Sequence, residues 1–353
     1  MNRYLKFGLA IVGSAVLCSN GIAGNKDRAG QAGGGALLIN PWARSTGWGG
    51  ANTANSTGIE AMHLNVAGTA FTKKTEVIFA HTNWLNISGS IDDNITINSL
   101  GLTQRVGETG VLGLSMMQMN FGDIMVTTVD LPEGGLGNFS PKYSVLGLSY
   151  AKEFSNSIYG GLAVKVVTEK ISNVGATGVC LDAGVRYVTG ENDKIKFGIA
   201  LRNVGPPMKY SGDGLSIRAV LPTTGANLTI EQRTAPYELP SMINIGGSYD
   251  FRLAEDHRIT LAGNFASNSF TRDQILVGLE YGFKTYFMVR GGYAYEEGIT
   301  SVSDRVTPFT GPSAGATFEL PLNDKGTTFG FDYSYRATNP FNGVHSLGVR
   351  INL

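Results

Sequence analysis

From residue 75 onward the chain alternates. In "KIKFGIALRN", residues 194–203, Ile195, Phe197, Ile199 and Leu201 oppose Lys196, Gly198, Ala200 and Arg202. A period of two predicts a strand with one apolar face. The pattern repeats near 75–85, 94–104, 110–120, 142–152, 158–170, 177–188, 194–204, 241–251, 257–267, 274–284, 285–296, 313–320, 327–336 and 344–353, giving fourteen predicted strands. Most are near the about 9–11 residues that cross a bilayer at a tilt. Segments 110–120 and 142–152 do not declare which face is apolar.

The connections sort by length. Long ones at 121–141, 205–240, 297–312 and 337–343 all follow odd strands. Short turns at 105–109, 153–157, 189–193, 252–256 and 321–326 all follow even strands. Outer-membrane barrels have this asymmetry, with long outside loops and short periplasmic turns. The expected fold is therefore an all-β transmembrane outer-membrane β-barrel of fourteen antiparallel strands, its apolar face on lipid. Charged residues are only 16% of the chain, and 48 of its 353 residues are glycine. No internal apolar run reaches the about 18 residues of a spanning helix. Lys plus Arg balance Asp plus Glu at 28 each, which gives no global attraction to nucleic acid.

Residues 1–24 read as a cleaved signal peptide: Arg3 and Lys6, an apolar run over 7–18, then small residues to Ala23 and Gly24. Its removal takes Cys18 and leaves Cys180, read as a packing residue. Residues 25–74 alternate poorly and are rich in Gly, Ala, Ser, Thr and Asn, which predicts an N-terminal plug within the barrel of 75–353. Arg44 would pair there with a lumen acid.

The face opposite lipid carries the expected lumen residues Lys165, Asp182, Arg186, Lys196, Arg202, Glu280, Arg290, Asp332 and Arg336. Arg186 and Arg202 are the candidates for contacts with a plug or ligand. Catalysis has little support: His63, His81, His257 and His345 are scattered, and His345 and Ser346 point to opposite faces of a strand. No enzyme activity, cofactor or metal is expected. Loop 205–240 carries Leu215, Ile217, Leu221, Leu228, Ile230 and Tyr237 among polar residues, a mixture suited to a partner surface. The alternative is an inward-folded lid.

"LLINPWARSTGWGGANTANSTGIEAMHLNVAGTA", "LDAGVRY" with "IALRNVGPPMKY", "ELPSMINIGGSYDF" and "VRGGYAYEEG" resemble, in order and spacing, the PorV/PorQ family of outer-membrane proteins, itself related to the FadL channels. Asp182, Gly184, Asn203, Gly205 and Pro206 stand at matching places. The family's Asn-Pro-Ala motif reads Asn65-Val66-Ala67 here, without the proline. The resemblance implies a fourteen-stranded FadL-like barrel with an N-terminal plug. It also implies work in type IX protein secretion or surface attachment, through partner translocon proteins and cargo domains. The alternative is a FadL-like channel for hydrophobic small molecules.

Overall fold

The computed structural model describes residues 26–85, 95–324 and 326–353. The expected signal peptide, with Cys18, lies outside the described residues. Fourteen strands form a closed antiparallel barrel. They are β1 Thr75–Trp84, β2 Ile95–Val106, β3 Gly110–Asn120, β4 Lys142–Ser155, β5 Ile158–Ile171, β6 Val174–Thr189, β7 Ile195–Val204, β8 Met242–Ala254, β9 His257–Asn268, β10 Gln274–Phe283, β11 Phe287–Glu296, β12 Phe309–Pro321, β13 Thr328–Thr338 and β14 Val344–Asn352. Each pairs with its neighbours in sequence, and β14 closes on β1 from Glu76↔Asn352 to Asn83↔His345. Closure leaves no open edge, the condition for strands to sit in hydrocarbon.

All fourteen predicted strands are present, and several reach further than the alternation showed. Strand β4 runs on to Ser155 and β6 starts at Val174, so a two-residue turn joins β5 to β6. Strand β12 starts at Phe309, with an irregular register before Ser313 that interrupts the alternation.

The outer face is apolar and exposed. Leu181, Phe197, Ile199, Ile275 and Leu279 are each about half exposed. A continuous surface of this kind suits lipid, since soluble monomers rarely expose such patches. Phe154, Tyr187, Phe251, Phe283, Tyr286 and Phe318 are exposed near the short-turn end, as an interfacial aromatic girdle would be.

The two strands with undeclared faces are apolar on both sides. In β3, Leu112, Leu114 and Met116 point out while Met117 and Met119 are buried inward. In β4, Leu146 and Leu148 point out while Tyr143 and Val145 are buried inward. The inward residues pack with Ala36 and Leu37 of the N-terminal segment.

Candidate functional site

The N-terminal segment threads the lumen. Its first residues reach the long-loop end, where Gly33 N–H donates to Glu238 O at 3.0 Å. It leaves at the short-turn end, where β1 begins. Between these points it makes short helical turns set by local chemistry. Asn40 Oδ1 accepts the Trp42 N–H at 3.1 Å, turning the chain into the helix Ala43–Gly47. Asn65 is extended, and its Oδ1 accepts the Ala67 N–H at 3.2 Å, capping the 3-10 turn Val66–Phe71. Val66 therefore begins that turn without the proline of the related motif.

Glycines of the wall admit this segment. A Cβ at Gly184 would collide with Asn65, at Gly161 with Val66 and at Gly292 with the Trp48 backbone. Asn65 Nδ2 also donates to Val185 O at 3.1 Å, and Ala67 is fully buried. Arg44 is half-buried on the helix Ala43–Gly47 and makes no ion pair among the described residues. It lines cavities with Glu60, Glu76 and Glu319 instead.

The inward charges gather at two levels. Toward the short turns, Glu280 is held between Arg258 and Arg290 at 2.8 Å each. Arg290 also donates to Thr317 at 2.7 Å, and Thr317 donates to Asp332. Arg350 bonds Glu319 at 2.9 Å and faces Asp332 at 3.8 Å. Lys196 pairs with Asp250, and Arg186 donates to Ser56 O at 2.7 Å while stacking on Phe71 at 4.1 Å. Midway up the wall, Lys165 pairs with Asp182 at 2.6 Å, and Asp182 accepts the Asn203 N–H at 2.7 Å. Arg202 donates to His63 at 3.0 Å and reaches Leu37 O at 3.4 Å. Burial, then Arg202 and Lys165, hold His63 well below its usual pKa, so the ring accepts this bond as neutral imidazole. Arg336 lies over the Phe309 ring at 3.5 Å near the long-loop end.

These charges and the N-terminal segment divide the remaining space. A polar chamber of about 340 Å³ opens toward the short turns, lined by Asn52, Glu60, Arg186, Lys196, Asp250 and Arg258 among others. It is roomy enough for water to satisfy its polar walls. Burial, then Asp332, push the Glu60 carboxyl up to about 7, against the opposing pull of Arg44 and Arg350. Toward the long loops lie two smaller cavities. One, about 40 Å³, is lined by Leu37, Ile39, Trp42, Met62, Met117 and Val145, with Lys165 and His63. The other, about 90 Å³, has mixed walls: Leu38, Leu64, Trp84, Met242, Leu276 and Val344 on one hand, Asn40, His63, Arg202, Asn244, Gln274 and Arg336 on the other.

The stem of loop 205–240 packs on the same apolar cluster that borders the first of these. Met208 and Leu239 are buried with Leu37, Val167, Ala176 and Cys180. Tyr237 belongs to this inward stem: half-buried, it donates to Glu169 at 3.0 Å. Leu215, Ile217, Leu221, Leu228 and Ile230 lie beyond it, on or beside a projecting hairpin of Ser216–Val220 and Asn227–Glu231. Ile217 pairs with Ile230 and Ala219 with Leu228, so one hairpin face is apolar. The sequence did not single out Glu169, Tyr210, Met62 or Met117. Glu169 was visible as an inward-phase acid in β5, but nothing in the sequence marked its partners.

No family model and no curated protein matches the sequence. Solved structures do. The CymD monoaromatic hydrocarbon channel aligns with TM-score 0.55 and 13% identity over 89% of this chain and 97% of its own. The Pseudomonas putida toluene transporter TodX aligns with TM-score 0.52 and 11% identity over 93% and 98%. A Pseudomonas aeruginosa FadL homologue aligns with TM-score 0.52 and 13% identity over 89% and 97%. The chain thus has the FadL-like fourteen-stranded fold of outer-membrane channels. At this identity the likeness concerns the fold.

Proposed function

We propose that the chain is an outer-membrane channel for hydrophobic small molecules, with the N-terminal segment as its plug. The cavity of about 40 Å³ beneath the long-loop end carries this reading: its walls are mainly Leu37, Ile39, Trp42, Met62, Met117 and Val145, with Lys165 and His63 as its polar groups, while the neighbouring cavity of about 90 Å³ mixes apolar and polar walls. Pockets that hold small molecules are mostly apolar with a few placed polar groups. The fold-level neighbours named for monoaromatic hydrocarbons and toluene support the same class. Toluene is the probe. Trp42 and Trp84 line the two cavities, so titration into detergent-purified protein should give a saturable fluorescence change, and proteoliposomes should admit toluene faster than empty vesicles. Absence of both results sinks the reading.

A second reading, secretion or surface attachment through protein partners, has one observation in its favour. The hairpin face of Ile217, Leu228 and Ile230 is about half exposed, with nothing among the described residues covering it. Replacing residues 212–236 with a Gly-Ser linker should then abolish surface delivery of secreted cargo while the barrel stays folded. Unchanged delivery removes this reading.

A further inference from the structure

We infer that the stem of loop 205–240 is a hinged lid over the lumen, and that the Glu169 carboxylate is the latch that joins this lid to the N-terminal segment and the barrel wall. Only the consequence for transport rests on the channel reading; the lid itself does not.

The feet of the loop meet at one residue. Asn203 is left-handed with φ 60°, fully buried, and turns the chain out of β7. Its Nδ2 donates to Pro240 O at 3.2 Å, so one side chain holds both ends of the loop. Gly205 then passes so close to Cys180 that a Cβ would strike the β6 backbone. From these feet the stem rises as a paired unit, with Met208 and Tyr237 exchanging backbone hydrogen bonds of 2.8 and 2.9 Å.

The latch sits away from the feet. Glu169 is 7% exposed and makes no ion pair among the described residues. Its charge is met by neutral donors from separate parts of the chain. Tyr210 and Tyr237 reach it from the lid, and the Gly34 N–H reaches it at 3.2 Å from the N-terminal segment. The lid and that segment also touch directly, through Arg28 and Glu238 at 3.0 Å and the Gly33 N–H to Glu238 O. A buried carboxylate without a cation depends on every donor it has. Lifting the lid removes two donors at once and exchanges them for water. Opening is therefore a discrete step between two arrangements. The exposed hairpin 216–231 continues from the stem and would move with it.

Cys180 is a built-in reporter. It is fully buried beneath the lid, packed with Met208. Maleimide alkylation of detergent-purified full-length protein, read by peptide mass spectrometry so that Cys18 is scored separately, measures opening. Alkylation should be slow in the wild type. In Glu169→Ala it should rise roughly tenfold or more, the factor that one lost charge-assisted hydrogen bond carries. Tyr210→Phe with Tyr237→Phe should match it, and Glu169→Gln should fall between. Wild-type rates in both Glu169→Ala and the double Phe variant, in barrels with normal heat-modifiable mobility, overturn the latch. If Glu169→Ala does not fold, the double Phe variant alone decides. Faster alkylation without toluene uptake in any form keeps the lid and discards the channel.

Discussion

Two quadrants of one lumen wall are built from opposite materials. Near the long loops, β3 to β5 present Met117, Met119, Tyr143, Val145 and Val167, against which Leu37 packs. Near the short turns, β10 to β14 present Glu280, Arg290, Thr317, Asp332 and Arg350, bonded to one another across five strands. The charged quadrant has one good geometry, because each group needs its particular partner. The apolar quadrant has many, because dispersion is non-directional and methionine adapts to irregular space. A wall made this way holds the N-terminal segment by directed bonds at one end and by adaptable packing at the other.

The largest expected effect comes from breaking the charged quadrant. Arg290 has a fully buried side chain, and its replacement by Met leaves Glu280 with Arg258 alone and Thr317 without a donor. Losing one partner of a buried pair costs about 3–5 kcal/mol. Arg290→Met should lower the unfolding free energy from urea titration by that much in detergent or liposomes, with a lower midpoint. Adding Glu280→Gln should recover part of the loss. An Arg290→Met midpoint equal to wild type would mean that the network is solvated and not structural.

The pH dependence gives a smaller effect on the same region. Glu60 belongs to the N-terminal segment, and its folded pKa is raised to about 7 by burial and then by Asp332. A folded group that keeps its proton above its unfolded pKa favours the folded state at low pH. That contribution is fully present below the usual carboxyl range and is lost as the pH rises through about 7, at most about 3 kcal/mol. Unfolding midpoints should therefore fall between pH 5 and pH 8, and Glu60→Gln should flatten that fall and be the more stable protein at pH 8. A wild-type profile with no fall, or an identical one in Glu60→Gln, contradicts the assignment.

The same contrast decides what the sequence could show. Every strand was legible where one face met lipid and the other met charge, as in β7 and β10. Strands β3 and β4 hid their faces because their lumen side is also apolar, a consequence of where Leu37 and Met62 pack. Alternation placed Lys165, Asp182, Arg186 and Arg290 on the inward face but could not say that Glu280 would lie between two arginines. The sequence left the course of loop 205–240 open between a partner surface and an inward-folded lid. Its return into the barrel hangs on Asn203 and on Glu169, contacts across 37 and 68 residues that leave no periodic trace. Tyr237 therefore reads like its exposed neighbours Leu228 and Ile230, although it points the other way. The wall glycines Gly161, Gly184 and Gly292 were visible as composition, but their role needs the approaching backbone of residues 48–66.

The smallest effect is expected where the wall is apolar, and its smallness is the point. Met117 is 7% exposed, lines the cavity of about 40 Å³ and packs with Val145 and Leu37 without a hydrogen bond to lose. Met→Leu keeps the volume and shortens the flexible reach, a swap that usually costs under about 1.5 kcal/mol. Met117→Leu should thus leave the unfolding midpoint nearly unchanged while altering the packing around Trp42, read as a shift in its fluorescence. The equally conservative Glu280→Gln, which also keeps shape, should cost more, because both of its arginines then face a neutral amide. If Met117→Leu proves the more damaging of the two, the apolar quadrant is the rigid one and the division of labour drawn between the quadrants is reversed.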